Sequence, residues 1–250
     1  MSRTIAWLLL VLGAAPVPAA DWPQFRGSTG AAVGAEGAVP DHWGPQTNLQ
    51  WKVKLPGPGA SSPIILGAHV YVTCYSGYGT EPGNAGDKKQ LVRHLLCLNR
   101  KDGTTVWKTD ISSDTPEANW GGMMTQHGYA SHTPATDGKR IYVFLGTAGV
   151  QAFDLQGKPV WKRSVGIGTD QWGSGSSVRL FENLVIVNAA IESGHVYGLN
   201  AETGTELWKF KVAGRSWSTP VLVRAATGRH DLVINSTGRI SGLDPLTGKE

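Results

Sequence analysis

"LNAETGTELWKFKV", residues 199–212, is a turn phrase followed by a Trp-led strand, and it recurs along the chain. Residues 98–111 read "LNRKDGTTVWKTDI", residues 153–165 read "FDLQGKPVWKRSV", and residues 243–250 begin the phrase again as "LDPLTGKE". Each copy closes a longer unit. A unit opens on small residues: "ASSPIIL" (60–66), "SHTPATD" (131–137), "SGSSVRL" (174–180) or "WSTPVLV" (217–223). An apolar run follows: "HVYVTC" (69–74), "RIYVFLG" (140–146), "NLVIVNA" (183–189) or "DLVINS" (231–236). A second run then ends in Leu or Phe before Asn or Asp, and the Gly turn leads to Trp107, Trp161 or Trp208. The period is roughly 45 to 55 residues, the range of propellers and solenoids.

Short runs rich in Val, Ile, Tyr and Phe suit central strands, and "D-G", "T-G" and "Q-G" supply the positive φ that a hairpin turn requires. Three turns per unit make a four-stranded antiparallel meander. A Trp at a fixed place after the last turn can fill the wedge between neighbouring sheets. This predicts an all-β fold, a β-propeller with about four blades in this chain, since repetition around an axis leaves only short, protected edges. A second Trp column, Trp120, Trp172 and Trp217, stands just before the innermost strand of three units.

Trp51, in "LQWKVKL", heads an outermost strand with no unit before it, and the fourth unit reaches Glu250 where its own Trp strand is due. Two accounts fit: a four-bladed ring closed by residues 49–55, or a longer ring whose C-terminal half is absent. The missing fourth Trp strand favours the second.

Composition agrees with a folded, strand-rich chain. Of 250 residues 40% are hydrophobic and 17% charged, with 33 Gly, 14 Pro and ten Trp, which suits short strands and tight turns. The formal net charge is +4 and the basic residues are scattered apart from "DKKQLVRH" (87–94), which reads as a solvated hairpin tip. A nucleic-acid footprint would need a patch or stripe, so no nucleic-acid partner is expected.

Residues 1–20 have the build of a secretory signal peptide, with Arg3, an apolar run from Ile5 to about Gly13 and small residues before Asp21. The run is too short for a permanent span of about 20 apolar residues. Residues 21–48 are then an N-terminal extension carrying "WPQFRG", and residues 49–250 the propeller. Periplasmic or secreted placement follows, with no stable membrane span after cleavage. Export makes Cys74 and Cys97, expected in roughly opposed positions on adjacent strands, candidates for a disulfide, with two buried thiols as the equal alternative.

The unit "LNAETGTELW" (199–208), with "LDPLTGKE" (243–250), resembles the repeat of the pyrroloquinoline quinone (PQQ) propeller superfamily. That superfamily includes quinoprotein alcohol dehydrogenases and the BamB-like propeller lipoprotein of the outer-membrane β-barrel assembly machine. "DWPQFRG" (21–27) and "HGYASHTPATDGKRIYVFLGTAGVQAFDLQG" (127–157) resemble secreted bacterial PQQ-like repeat proteins. The resemblance covers about residues 48–250 and implies rings of seven or eight blades.

An enzyme of this kind would need an adjacent Cys-Cys pair, a Trp floor, oxygen ligands for Ca²⁺ and an Asp base. The two cysteines here are 23 residues apart, and no catalytic, cofactor-binding or metal-binding residue is assigned. His127 and His132, five apart, would point to opposite faces of a strand and so would not share a metal. The expectation is an exported, non-catalytic scaffold that binds a protein or polymer of the cell envelope, with no cofactor. A dehydrogenase using PQQ and Ca²⁺, its site partly in missing blades, is the alternative. The insertion between Cys74 and Cys97 is the expected contact surface, because loops on a rigid scaffold are where recognition sits.

Overall fold

Why the phrase recurs is visible in its turns. The computed structural model describes residues 20–34, 40–112 and 115–250, so the signal-peptide reading, apart from Ala20, lies outside the described residues. In each copy an Asn or Asp side chain accepts the amide two residues on: Asn99 from Lys101, Asp154 from Gln156, Asn200 from Glu202 and Asp244 from Leu246. The chain then closes on a glycine whose amide returns to the same residue's carbonyl, as Gly103 does to Asn99 and Gly204 to Asn200, each at 2.8 Å. These glycines, with Gly157 and Gly248, have φ between 67° and 82°, the left-handed region that Gly enters without penalty. The repeated "N/D…G" is therefore a self-capped turn.

The turns join strands into antiparallel sheets. β1 (Ile64–Leu66), β2 (His69–Ser76), β3 (Val92–Asn99) and β4 (Thr105–Ile111) form the first blade. β5 (Ala135–Thr136), β6 (Arg140–Phe144), β7 (Val150–Asp154) and β8 (Pro159–Arg163) form the second. β9 (Arg179–Phe181), β10 (Leu184–Ala189), β11 (His195–Asn200) and β12 (Glu206–Lys211) form the third. β13 (Val221–Arg224), β14 (His230–Ser236) and β15 (Arg239–Leu243) form a three-stranded fourth sheet. This is the propeller expected from the repeat. In each complete blade the register slips beside the Trp, between Cys97 and Leu98, Ala152 and Phe153, and Gly198 and Leu199. Such a bulge re-aims the side chain opposite it.

Successive blades are cemented face to face. Tyr71, Leu95 and Cys97 of the first blade pack with Ile141, Val143 and Phe153 of the second. Tyr142, Phe144 and Val150 of the second meet Val185, Val187 and Leu199 of the third. Leu184, Ile186 and Val196 of the third meet Leu232, Ile234 and Leu243 of the fourth. The far face of the fourth sheet leaves Val221, Val223 and Ile240 exposed among the described residues, at positions that a following blade covers in the other three.

Each wedge Trp ties its blade to the next one's turn. Trp107 Nε1 donates to Leu155 O at 2.9 Å, Trp161 Nε1 to Ala201 O at 3.0 Å and Trp208 Nε1 to Pro245 O at 3.2 Å. Trp51 makes the same bond to Arg100 O at 2.8 Å. Trp51, Val53 and Leu55 pack on the outward face of the first blade, against Val70, Val72 and Leu96. Residues 51–55 nevertheless join no sheet among the described residues, and β15 pairs only with β14. Pairing of residues 51–55 with the fourth sheet is therefore not seen among the described residues, although the segment packs where an outermost strand would.

The opposed placement expected of the two cysteines and the solvated basic run are both corrected, while the cysteines take the second of their two expected states. Cys74 faces His94 in the ladder and Cys97 faces Tyr71, three positions apart in register and on opposite faces of the sheet. Both are free, buried thiols, and burial pushes Cys97 up to about 11. The basic run at 87–94 is only partly a solvated tip. Lys88–Gln90 is a short 3₁₀ turn, but Arg93 and His94 are buried in β3.

Candidate functional site

The small residues that open each unit line the inner edges of the blades and are linked by hydroxyls. Ser62 N donates to Thr133 Oγ1 at 3.0 Å, Thr133 N to Ser177 Oγ at 3.0 Å, and Ser177 N to Thr219 Oγ1 at 2.9 Å. Each donor and acceptor lies two residues before its inner strand. A Ser or Thr is needed because the inner edges converge and their amides find no ladder partner. "GSGSS" (173–177) contributes Ser177 to this chain of hydroxyls.

The N-terminal extension clips the same edges. Asp21 accepts from Gly67 N at 2.7 Å, and Trp22 exchanges two backbone bonds with Ile65, each 2.9 Å. Pro23 O accepts from Thr136 N at 2.8 Å, and Gln24 Oε1 from Leu180 N at 3.2 Å. Four successive residues thus touch the first, second and third blades in turn.

Between the first three blades lies a cavity of about 30 Å³ lined by Arg93, Glu117, His132, Thr147, Ser174 and Glu192, room for about one water molecule. Arg93 and Glu117 form a buried ion pair at 2.8 Å, Arg93 Nε also donates to Tyr129 O at 2.9 Å, and Thr147 Oγ1 donates to Glu117 at 2.9 Å. His132 shares a 2.9 Å bond with Ser174 Oγ through Nε2, while its Nδ1 and both Glu192 carboxylate oxygens have no partner among the described residues. Burial, with Arg93 and His127 nearby, drops His132 to about 3. Burial, with Glu117 nearby, raises Glu192 to about 7. At neutral pH the cavity therefore holds a neutral imidazole and a half-titrated carboxyl beside a fixed ion pair.

Neither His127 nor His132 lies on a strand, which corrects the expectation that they point to opposite faces of one. His127 ends a four-residue helix, α1 (Met124–His127), and Gly128 breaks the run at φ 66°. His127 bonds Ser131 Oγ at 2.7 Å and Trp172 O at 2.8 Å. Among the described residues no group of three or more His, Cys, Asp or Glu is placed to hold a metal.

The insertion folds down rather than standing free. Tyr75, Tyr78 and Leu91 are buried against Met124, Tyr129 and Ala130, with Trp120 packed on the cluster, and Trp120 N donates to Tyr78 Oη at 3.0 Å. Tyr75 and Tyr129 meet edge to face at 5.4 Å, a favoured aromatic geometry. The insertion thus buttresses the loop 117–129. Trp120 lies between two grooves: one of about 440 Å³ lined by Tyr75, Thr80, Pro82 and His127, and one of about 680 Å³ lined by Asn119, Met123, Asp170 and Trp172. Trp172, 51% exposed, lies against Trp217 with ring centres 5.2 Å apart, and Trp217 Nε1 donates to Gly173 O at 3.0 Å. Met123 and Ile167 are 46% and 56% exposed in the same loops. The second Trp column therefore marks the loop face, and its members are not equivalent wedges.

Sequence reasoning does not single out Arg93, Glu117, His132 and Glu192 as a cluster. Glu192, an acid inside the otherwise uncharged turn "NAAIESG", is the one that carries a signal.

Sheets, wedges and turns define a PQQ-like repeat propeller, and comparison with known proteins agrees. Residues 88–250 match the family described as "Outer membrane protein assembly factor BamB", and the chain belongs to that family. BamB of Salmonella typhimurium is 30% identical over 130 residues, covering 50% of this chain and 30% of that protein. BamB from Moraxella catarrhalis has TM-score 0.53 at 20% identity, over 82% of this chain and 54% of that one. A quinohemoprotein alcohol dehydrogenase from Comamonas testosteroni has TM-score 0.58 at 16% identity, over 94% of this chain and 41% of that one. The chain thus spans well under two thirds of each of these relatives.

Proposed function

We propose that this protein is an exported propeller scaffold of the cell envelope, and that its partner is a protein bound on the loop face around Trp120 and Trp172. The observation that carries this reading is the exposure of Trp172 and Met123 beside a groove next to Trp120, on a face whose 117–129 loop is packed on the Tyr75, Tyr78 and Tyr129 cluster. Clustered exposed aromatic and Met side chains are enriched in the cores of protein interfaces. The relatives named as outer membrane protein assembly factors support a partner in outer-membrane protein assembly. No helix among the described residues is long and apolar enough to cross a membrane.

A quinone cofactor does not fit the residues present. The adjacent Cys-Cys pair that such a site would use is not present: the two cysteines lie on opposite faces of one blade. These residues support no catalytic step through PQQ.

Site-specific photo-cross-linking tests the proposal. A photoreactive side chain at position 172 or 123 should trap a discrete envelope protein, whereas one at position 106 or 160, exposed on outer strands, should not. Equal labelling from all four positions would overturn the assignment of the face.

A further inference from the structure

Arg179, the first residue of β9, is buried at 4% exposure and has no carboxylate within ion-pairing distance among the described residues. Its Nη2 donates to Thr29 O at 2.9 Å, while Nε has no partner. Gly30, at φ 76°, lies flat against the guanidinium, where a Cβ would fall 2.3 Å from Nη1. The guanidinium borders a pocket of about 470 Å³ lined also by Gly30, Arg26, Trp217, Thr219 and Asn235.

A buried charge without a counter-charge is costly, and most ionisable groups escape the cost by neutralising. Arginine does not: burial pushes Arg179 below its ordinary range, but a guanidinium stays charged at neutral pH. Among the described residues no carboxylate supplies the counter-charge. The second cation of the pocket, Arg26, is also without a carboxylate among the described residues, so the pocket carries two positive charges and no negative one.

We propose that this pocket binds an oxyanion, a carboxylate or a phosphate, with Arg179 as the buried cation and Arg26 as the second cation at the pocket. The guanidinium that borders the pocket can give charge-assisted hydrogen bonds, and its planar form suits the fork of oxygens that both groups present. The Thr219 hydroxyl and the Asn235 amide are neutral donors beside it. The N-terminal extension is part of the site, since it supplies Arg26, Gly30 and the Thr29 carbonyl that holds the guanidinium in place. This site adjoins the loop face assigned to a protein partner through Trp217, which lines the pocket and lies against Trp172.

The test is thermal unfolding of the full chain in chloride buffer, with inorganic phosphate or acetate added at matched ionic strength. At least one anion raises the midpoint saturably, and the one that does so identifies the source as phosphate or carboxylate. Arg179→Met keeps the length and removes the charge, so in chloride its midpoint equals or exceeds that of the parent, and the anion-dependent rise disappears. Arg26→Gln leaves the chloride midpoint unchanged and weakens anion affinity on the order of tenfold, the loss of one charged hydrogen bond. The proposal is overturned if neither anion acts beyond matched chloride. It is equally overturned if Arg179→Met retains the rise, or, should that variant not fold, if Arg26→Gln binds as tightly as the parent.

Discussion

The indole of Trp161 lies on Gly204, so close that a Cβ on that glycine would sit 2.6 Å from the ring, and its Nε1 donates to Ala201 O at 3.0 Å. Trp51 on Gly103, Trp107 on Gly157 and Trp208 on Gly248 repeat the contact with Cβ distances of 2.5–2.6 Å. An indole buries on the order of 150–250 Å², and at about 25 cal/mol per Å² even half of that exceeds the roughly 1 kcal/mol of the hydrogen bond. Burial supplies the stability, and the hydrogen bond fixes the register of one blade on the next. Gly204→Ala meets both the ring and an unfavourable φ of 71°. It should cost about 2–3 kcal/mol, read as a lower midpoint in urea unfolding, whereas Gly228→Ala, with nothing near its Cβ, should cost only the backbone strain.

Thr133 is the first hydroxyl acceptor in the chain across the inner edges. Thr133→Val keeps the shape but removes the acceptor of Ser62 N. A buried amide without a partner costs about 1–3 kcal/mol. Thr133→Ser should retain most of the stability, and equal stability of the Val and Ser variants would show that the hydroxyl contributes nothing.

The buried pair Glu192 and His132 makes opposite contributions to stability against pH. Glu192 has a folded value of about 7 against 4.5 unfolded, so the native state holds the extra proton and stability falls as pH rises from about 4.5 to 7. His132, at about 3 against 6.5, makes the unfolded state hold the extra proton, so stability rises with pH from about 3 to 6.5. Between 4.5 and 6.5 the two slopes largely cancel. Glu192→Gln removes one of them. The variant should gain on the parent by on the order of 3 kcal/mol between pH 4.5 and pH 8, and should show a rising stability across pH 4.5–6.5 where the parent is nearly flat.

Thiol titration checks the cysteines. Without reductant, the unfolded chain should expose two reactive thiols, and the folded chain should react slowly because both are buried and Cys97 is held as thiol by burial. A chain with no titratable thiol on unfolding would restore the disulfide.

Much of the fold is legible in the sequence because each blade repeats the same local solution: an Asx-capped turn, a positive-φ glycine and an indole ten residues or fewer beyond the capping residue, as in Asn200, Gly204 and Trp208. Such features act over a few residues and leave a periodic trace. The polar cluster leaves none. Arg93 and Glu117 meet across 24 residues, and Gln24 reaches Leu180 across 156, distances that only the curvature of the ring brings together. "DKKQLVRH" reads as solvated for the same reason: charge alone does not reveal that Arg93 has a buried carboxylate waiting on another loop. The second Trp column is visible in the sequence, but not that Trp172 is left exposed, because that depends on how neighbouring blades splay their loops.

The measurement that tests the architecture most directly is hydrogen exchange of the indole N–H groups by NMR, assigned by single Trp→Phe substitutions. Slow exchange is expected for Trp51, Trp107, Trp161 and Trp208, each bonded to a turn carbonyl of the adjoining blade, and fast exchange for the exposed Trp43. A Trp51 indole that exchanges as freely as that of Trp43 would contradict the shared docking of blade upon blade.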